Sequence, residues 1–492
     1  MNFKGLFKNK NHIYILILLL SASFIFHCVP YLVLDTSKYN FYDTDTWSNV
    51  RKIEQLNHGA TPQYDTARGL PVYGIQVIGS WMAGENDTPL EIFNKVGFLS
   101  PILALLFAIT VYILVTILFS ENAGFYSSVF IMFSGWNLFH NSLFGIIDYH
   151  LLSIFMCVTV ILCILISVKY RSDLFLIPAI LAGIILYFTA SMFWFYIVIV
   201  AGILGILLFH YLWTTFEKYR LYLILSVPII VGLLYLQFRD TYWINLLLSW
   251  SEPITESMPI SPVMFLLIAN VMILIVIYGI YRSIKTVNYD IIPLSLFIVT
   301  MGLALLTFKF QRIEYIFSPF AAIVSGYYLD RYVSKINART VLIVFLTFSI
   351  VLSGYMMGSI ISTSNRNSEV GDALLFLRTQ EPGVILAWWD YGFWISAVSG
   401  QVPFSDPTQG IHAIEAAKIF AGIPTDSIPL LKKYDIKYVL VSKSDYSFYP
   451  AMQWYAKSTV PYEQSYLKEL VGGTALKENL IYNLSGIMVY KI

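Results

Sequence analysis

Charge is what this chain of 492 residues has least of: Asp, Glu, Lys and Arg make up 12% of it, about half the share usual in a soluble globular protein. Lys plus Arg number 31 and Asp plus Glu 30, a net charge of +1, so nothing in the charge argues for nucleic acid as a partner. Cysteine is scarce too. Cys28, Cys157 and Cys163 all sit in apolar runs, which excludes disulfides from the polar regions and leaves the compartment unread. No internal repeat and no low-complexity tract stands out. The first apolar run, Ile13 to Leu34 after Lys4, Lys8 and Lys10, lacks a small-residue cleavage site and exceeds a signal-peptide core. It reads as a retained span.

What is plentiful is apolar residue, 57% of the chain. Crossing a bilayer takes about 20 of them in succession. Suitable runs lie near 13–34, 93–118, 124–139, 151–168, 174–190, 192–213, 221–238, 263–281, 290–308, 313–330 and 340–362. They predict a polytopic α-helical membrane domain of about eleven spans, with Trp and Tyr at several ends as interfacial anchors. The N-terminus, Lys169–Arg171, Lys218–Arg220, Arg282–Lys285 and Arg331–Arg339 are basic and fall on one side for that count. The positive-inside bias makes that side cytoplasmic, the protein a multi-pass cell-membrane protein, and the C-terminal region extracytoplasmic.

The expected domains are therefore a transmembrane catalytic domain over 1–364, with outer loops 35–92 and 239–262, and an extracytoplasmic domain over 365–492. The latter mixes β-like runs (Val384–Ala387, Tyr438–Ser442, Gly486–Ile492) with helix-like ones (Ile411–Phe420, Asp426–Tyr434). It reads as a small α/β domain long enough to bury its own core.

Acidic residues gather on the outward side. Phe41-Tyr42-Asp43-Thr44-Asp45-Thr46-Trp47 follows the first span, Gly145-Ile146-Ile147-Asp148-Tyr149-His150 joins two spans, and Trp250 to Glu256 precedes another. Asp45, Asp148 and His150 are hard oxygen and imidazole donors that suit Mn²⁺ or Mg²⁺. Each also has a plainer reading: a juxtamembrane Asp is often a solvated cap, and Asp148 opens an apolar run where it serves as a helix N-cap. Charge at a membrane surface is nonetheless costly and tends to be functional. Arg312 suits phosphate recognition as a planar fork, or snorkels as an interfacial arginine.

Trp388-Trp389-Asp390-Tyr391-Gly392 matches without substitution the signature of the catalytic subunit of oligosaccharyltransferases, the enzymes of asparagine-linked glycosylation. The resemblance extends along nearly the whole chain. Asp45-Thr46-Trp47-Ser48-Asn49-Val50-Arg51 resembles the first-loop motif, and Gly145 to His150 the second acidic motif. Together they imply Asp45, Asp148 and His150 as metal ligands. Ile254-Thr255-Glu256 resembles the outer-loop motif whose Glu contacts the acceptor, and implies Glu256 as catalytic beside Asp45. Arg312, seven residues before Pro319, is similar in placement to the arginine that holds the lipid pyrophosphate; His412 and Lys418, after Asp406, resemble the segment downstream of the signature, with His412 implied as a phosphate contact. Trp388, Trp389 and Asp390 are implied to bind the Ser or Thr hydroxyl of the sequon.

The resemblance implies a GT-C-like fold, in which thirteen spans are usual. Only four fit between Asp148 and Tyr242 here, so two are missing or very short. The position seven before Asp148, basic in many relatives, is Asn141. The second sequon-reading motif is not clear; Asp445 and Met452, within Ser444 to Lys457, are the nearest material. The implied reaction is inverting transfer of a glycan from a polyprenyl-(pyro)phosphate lipid to Asn in Asn-x-Ser/Thr, within a bilayer and without required accessory subunits. The short tail fits the single-subunit archaeal or bacterial type. Two sequons belong to the chain itself, Asn86-Asp87-Thr88 (followed by Pro89) and Asn483-Leu484-Ser485. Rival readings are a membrane glycosyltransferase with a lipid-linked donor and another acceptor, a transporter or flippase, and an inactive scaffold paralogue. Transporters place charge at mid-membrane on broken helices, whereas here it collects at the outer surface.

Overall fold

A computed structural model describes residues 10–41, 43–59, 74–133, 136–189, 193–215, 261–286, 290–310, 313–406 and 410–492. The run 221–238, nearly all of the loop 239–262 with Glu256, and Arg312 lie outside the described residues. The helices before the C-terminal region are α1 (Lys10–His27), α2 (Val29–Val33), α3 (Thr44–Asn57), α4 (Gly74–Met82), α5 (Pro89–Val96), α6 (Leu99–Leu118), α7 (Glu121–Met132) and α8 (Trp136–His140). They continue with α9 (Tyr149–Tyr170), α10 (Leu176–Thr189), α11 (Phe193–Thr215), α12 (Pro262–Thr286), α13 (Ile291–Lys309), α14 (Glu314–Tyr332) and α15 (Lys335–Arg378).

Among the described residues, six helical stretches are long and apolar enough to cross a membrane: Lys10–His27, Pro89–Leu118, Tyr149–Tyr170, Phe195–Thr215, Ile291–Lys309 and Ile336–Arg378. Four more of the expected runs are helical without meeting that measure. Of these, α7 and α10 are short, at 12 and 14 residues. Helix α12 is broken at Asn270, whose φ is +50°, and α14 carries Glu314, Asp330 and Arg331.

The chain divides into two compact units. The first comprises Met1–Ser23, Ala104–His140 and Leu151–Ser353. Its helices are tied by polar contacts as well as apolar ones: Ser120 Oγ donates to Asp330 Oδ2 (2.6 Å) and Asn122 Nδ2 to Asp330 Oδ1 (2.9 Å). At the Asn270 break the side chain donates to Ser349 Oγ at 3.0 Å, the kind of local re-satisfaction an apolar setting demands.

The second unit comprises Phe24–Leu103, Asn141–His150 and Gly354–Ile492. Residue 364, where the sequence texture placed a boundary, lies inside a continuous helix, α15, and the described part of segment 35–92 falls in the same unit as the C-terminal region. Sequence texture changes within α15, whereas helical hydrogen bonding carries straight across that point.

The C-terminal region is the mixed α/β fold that its alternating runs predict: β1 (Val384–Leu386), β2 (Val402–Pro403), α16 (Gly410–Phe420), α17 (Pro424–Lys433), β3 (Ile436–Ser442), α18 (Tyr449–Ala456), α19 (Tyr466–Val471), β4 (Leu480–Leu484) and β5 (Ile487–Lys491). The sheet order is β2-β1-β3-β5-β4. Strand β1 is parallel to β2 and β3, while β5 is antiparallel to β3 and β4. Val439, Leu440 and Val441 are all buried, as a central strand covered on both faces requires.

Candidate active site

The first acidic motif starts a helix. Asp43 caps α3, accepting the Thr46 N–H at 2.7 Å, the interaction that satisfies an otherwise orphaned donor of the first turn. Trp47, Val50 and Ile53 follow at three-residue spacing and are fully buried, so one stripe of the helix faces the core. Asp45 is left on the first turn, half-buried. Its carboxylate has no hydrogen bond or ion pair among the described residues. Of two adjacent acids, one is spent on structure and the other is available.

The second motif is stitched to the first across some hundred residues. Thr46 Oγ1 accepts the Ile147 N–H at 2.9 Å and stands 3.0 Å from the Gly145 carbonyl and 2.5 Å from Asp43 Oδ2, with one proton to share between those acceptors. Gly145 has φ +83°, a conformation that favours glycine. Asn49 Nδ2 donates to the carbonyls of Asp45 (3.0 Å) and Ile147 (2.6 Å), and Gln76 Nε2 donates to Asn49 Oδ1 at 2.9 Å. Thr46, Asn49 and Gln76 are all buried. In a low-dielectric setting such a satisfied network rigidifies what it joins. The polar residues at 46 and 49 share one helix face, but their partners were not legible in sequence.

Asp148 and His150 adjoin each other, Oδ2 to Nε2 at 3.4 Å, both buried. Asp148 Oδ1 also accepts the Tyr149 N–H at 2.6 Å, so this side chain does part of a cap's work while its other oxygen faces the imidazole. The carboxylate and imidazole fit a hard divalent ion as donors. Among the described residues, no three His, Cys, Asp or Glu side chains converge on one point that could hold a metal. What joins Asp45 to the pair is the backbone stitching through Thr46 and Asn49.

The signature turn follows β1. Tyr391 N–H closes it on the Trp388 carbonyl at 3.0 Å. Gly392 is required by a close approach: a Cβ there would lie 2.5 Å from the Ser405 carbonyl oxygen and from Asp406 Cβ. Trp388 is buried against Trp389 and Tyr455, with ring centroids 5.8 and 6.3 Å away. Trp389 and Asp390 are half-buried, and Trp389 meets Tyr455 edge-on at 5.5 Å. The segment Ser444 to Lys457 thus does lie against the signature, through Tyr455 of α18.

Tyr391 turns inward. Its hydroxyl donates to Asp445 Oδ1 at 2.6 Å, and Asp445 Oδ2 accepts the Ser442 N–H at 2.9 Å. Burial pushes the Asp445 carboxyl up to about 7, with the charge of Asp390 adding and the Ser442 and Tyr391 bonds opposing. Burial and the facing Asp445 charge raise the Tyr391 hydroxyl well above its ordinary value.

An aromatic chain links this turn to the first motif. Tyr391 meets Trp394 edge-on (5.3 Å), Trp394 stacks on Phe41 (4.5 Å), Phe41 meets Trp47 (5.2 Å), and Trp47 stacks on Phe93 (5.1 Å). Aromatic pairs of this kind add about 0.5–1.5 kcal/mol each beyond their buried area. His412, near the start of α16, is exposed and meets the Phe404 ring edge-on at 5.2 Å. No described residue places it against the acidic motifs. Asn141 is buried; the expected partners Glu256 and Arg312 lie outside the described residues.

Compared by sequence, the chain matches no protein-family model and no curated protein. Solved structures are another matter. The oligosaccharyltransferase of Archaeoglobus fulgidus, tethered by a disulfide to an acceptor peptide containing the NVT sequon, is similar at TM-score 0.70 and 16% identity, over 93% of this chain and 72% of that one. Archaeal AglB from the same organism, in complex with an inhibitory peptide and a dolichol-phosphate, gives 0.68 and 16%, over 92% and 72%. ArnT from Cupriavidus metallidurans in the apo state is similar at 0.54 and 12%, over 98% of both chains. The expected GT-C-like membrane fold is present: this chain carries the fold of the Archaeoglobus fulgidus oligosaccharyltransferase along nearly its whole length.

Proposed function

We propose that this protein is a membrane oligosaccharyltransferase: it moves a glycan from a polyprenyl-(pyro)phosphate lipid onto the Asn amide of Asn-x-Ser/Thr. The observation that carries the reading is one compact unit holding both acidic motifs, stitched through Thr46 and Asn49, together with the Trp388–Gly392 turn. The lipid and peptide named in the Archaeoglobus fulgidus complexes support the choice of donor and acceptor class.

An amide nitrogen is a weak nucleophile because its lone pair is delocalised into the carbonyl. Carboxylates that accept its two N–H groups weaken that conjugation, and Asp45, whose carboxylate is uncommitted, is suited to the task together with Glu256. Nitrogen then bonds to the anomeric carbon as the carbon–oxygen bond to the lipid pyrophosphate breaks. The pyrophosphate keeps the electron pair, and one amide proton passes to a carboxylate. A single displacement inverts the anomeric centre. The resemblance assigns Mn²⁺ or Mg²⁺ to Asp45, Asp148 and His150, whose donor chemistry fits a hard ion although no three of the described acid, His or Cys side chains meet at one point; an ion bound there would stabilise charge on the departing phosphate. Arg312 and His412 are assigned to the same phosphate. Trp388, Trp389 and Asp390 read the acceptor hydroxyl; a site built to bond a hydroxyl rejects acceptors that lack it.

The likeness to ArnT, which has also been solved with undecaprenyl phosphate bound, supports a second reading, a glycosyltransferase with a lipid-linked donor and a different acceptor. One assay separates the two. Transfer from a polyprenyl-pyrophosphate glycan is followed on fluorescent Asn-x-Thr and Asn-x-Ala peptides, with Mn²⁺ and then with EDTA. Metal-dependent product on Asn-x-Thr alone supports the proposal; product on neither peptide with folded protein rejects it in favour of the second reading.

A further inference from the structure

Phe41 and Trp394, far apart in the chain, stack with ring centroids 4.5 Å apart and planes 25° from parallel. Both rings are buried, and each belongs to a piece that is pinned in its own right. Phe41 leads into the first acidic motif. Its neighbour Asn40 accepts the Trp47 indole N–H at its carbonyl (3.2 Å) and the Ser364 hydroxyl at Oδ1 (3.0 Å). Gly371 of α15 lies so close that a Cβ there would stand 3.2 Å from the Phe41 ring. Trp394 ends the helical turn Gly392–Trp394, which continues the signature turn without a break. Its ring meets Tyr391 edge-on at 5.3 Å.

Trp394 is a poor choice for filling space alone. Among the described residues its indole N–H has no hydrogen-bond partner, although the side chain is buried, and an unmet buried donor is destabilising. Phenylalanine would fill much of the space without that penalty. What the indole adds is breadth, in contact with Tyr391 on one side and Phe41 on the other. A broad, flat ring between two pinned pieces fixes how far apart they stand. In the transferase reading those pieces grip two points of one acceptor: Asp45 takes the Asn amide, and the Trp388–Asp390 turn takes the hydroxyl two residues on. Their separation then selects how many residues lie between Asn and Ser or Thr. We propose that the Trp394–Phe41 stack is the spacer that sets this length, which makes Trp394 and Phe41 positioning residues acting through Asp45 and the signature turn. The proposal rests on the transferase reading above.

Trp394→Phe narrows the spacer and removes the unmet donor, so the lost packing and the lost penalty offset each other in stability. Phe41→Leu removes the stack. Val489→Ala truncates a fully buried side chain of β5 outside both motifs and serves as the control for stability. Wild type and the three variants, as full-length protein in lipid nanodiscs, are assayed for transfer to Asn-x-Thr and Asn-x-x-Thr peptides, with Tm measured on the same preparations. In Trp394→Phe and Phe41→Leu, kcat on Asn-x-Thr should fall about tenfold or more with acceptor KM within about twofold, because the reacting amide is misplaced while the hydroxyl is still held. The preference for Asn-x-Thr over Asn-x-x-Thr should narrow by about tenfold in the same two variants. Val489→Ala should lower Tm and keep the wild-type preference. If Phe41→Leu does not fold, Trp394→Phe decides alone. An unchanged preference in Trp394→Phe, with active wild type, overturns the spacer and leaves the transferase reading standing. An equal narrowing in Val489→Ala overturns it too, since the effect would then follow stability. Wild type that transfers to no Asn-x-Thr peptide overturns the transferase reading and the spacer with it.

Discussion

Thr46 and Ile147, 101 residues apart in the chain, are joined by a 2.9 Å hydrogen bond from the Ile147 N–H to the Thr46 hydroxyl. Either acidic motif alone is a loop with carboxylates. This bond, with the Asn49 bridge, makes them parts of one site. Thr46→Val keeps the shape and deletes the acceptor; on the proposed metal assignment, Mn²⁺ affinity, measured by electron paramagnetic resonance, should fall by about tenfold or more, as when the groups that orient metal ligands are removed. Unchanged affinity would detach Thr46 from the site.

Asp43 and Asp45 should part company under mutation. Asp43→Ala removes the α3 cap and should lower stability by about 1 kcal/mol, seen as a lower Tm, with transfer reduced but present. Asp45→Ala breaks no described hydrogen bond of its side chain; Tm should hold while transfer disappears. Near-normal turnover in Asp45→Ala would end its catalytic assignment.

Burial of Asp445 has a stability signature. Its folded-state value of about 7 lies above that of an unfolded Asp, about 3.9, so the folded protein binds more protons. The contribution is fully present below the unfolded value and is lost as pH rises through about 7. Relative to Asp445→Asn, wild type should lose on the order of a few kcal/mol between pH 4 and 8. Denaturant midpoints of the two proteins across that range check it; parallel curves would refute the shift.

Gly392→Ala should be poorly tolerated. The added methyl would meet the Ser405 carbonyl at 2.5 Å, and overpacking of this kind costs about 1–3 kcal/mol. The expected result is a lowered Tm and weakened discrimination between Asn-x-Thr and Asn-x-Ala peptides, both measurable on one preparation.

The chain's own sequons differ in availability. Asn483 is exposed on β4, with Ser485 in the hairpin turn at φ +54°. Thr88 is committed to a capping box with Glu91, and Pro89 follows it. If the protein glycosylates itself, peptide mass spectrometry should find glycan on Asn483 and not on Asn86. The reverse pattern would contradict this ranking.

Much was readable from residues alone. The apolar runs predicted helices because crossing a bilayer demands local, continuous hydrophobicity that survives in any window of sequence. Trp388–Gly392 announced itself because its composition is improbable in a plain turn. The alternating runs after residue 380 became a mixed sheet, since period and turn residues are local signals too. Only the tertiary structure decided that Asp43 caps while Asp45 stays available, that Thr46 and Asn49 join the two acidic motifs, and that Asp445 holds Tyr391. It also decided that the segment after the first apolar run packs with the C-terminal region, through Trp394 on Phe41. Those outcomes depend on which side chains meet across 50 to 350 residues of chain, and a hydrogen bond or ring contact has no local period by which sequence could reveal it.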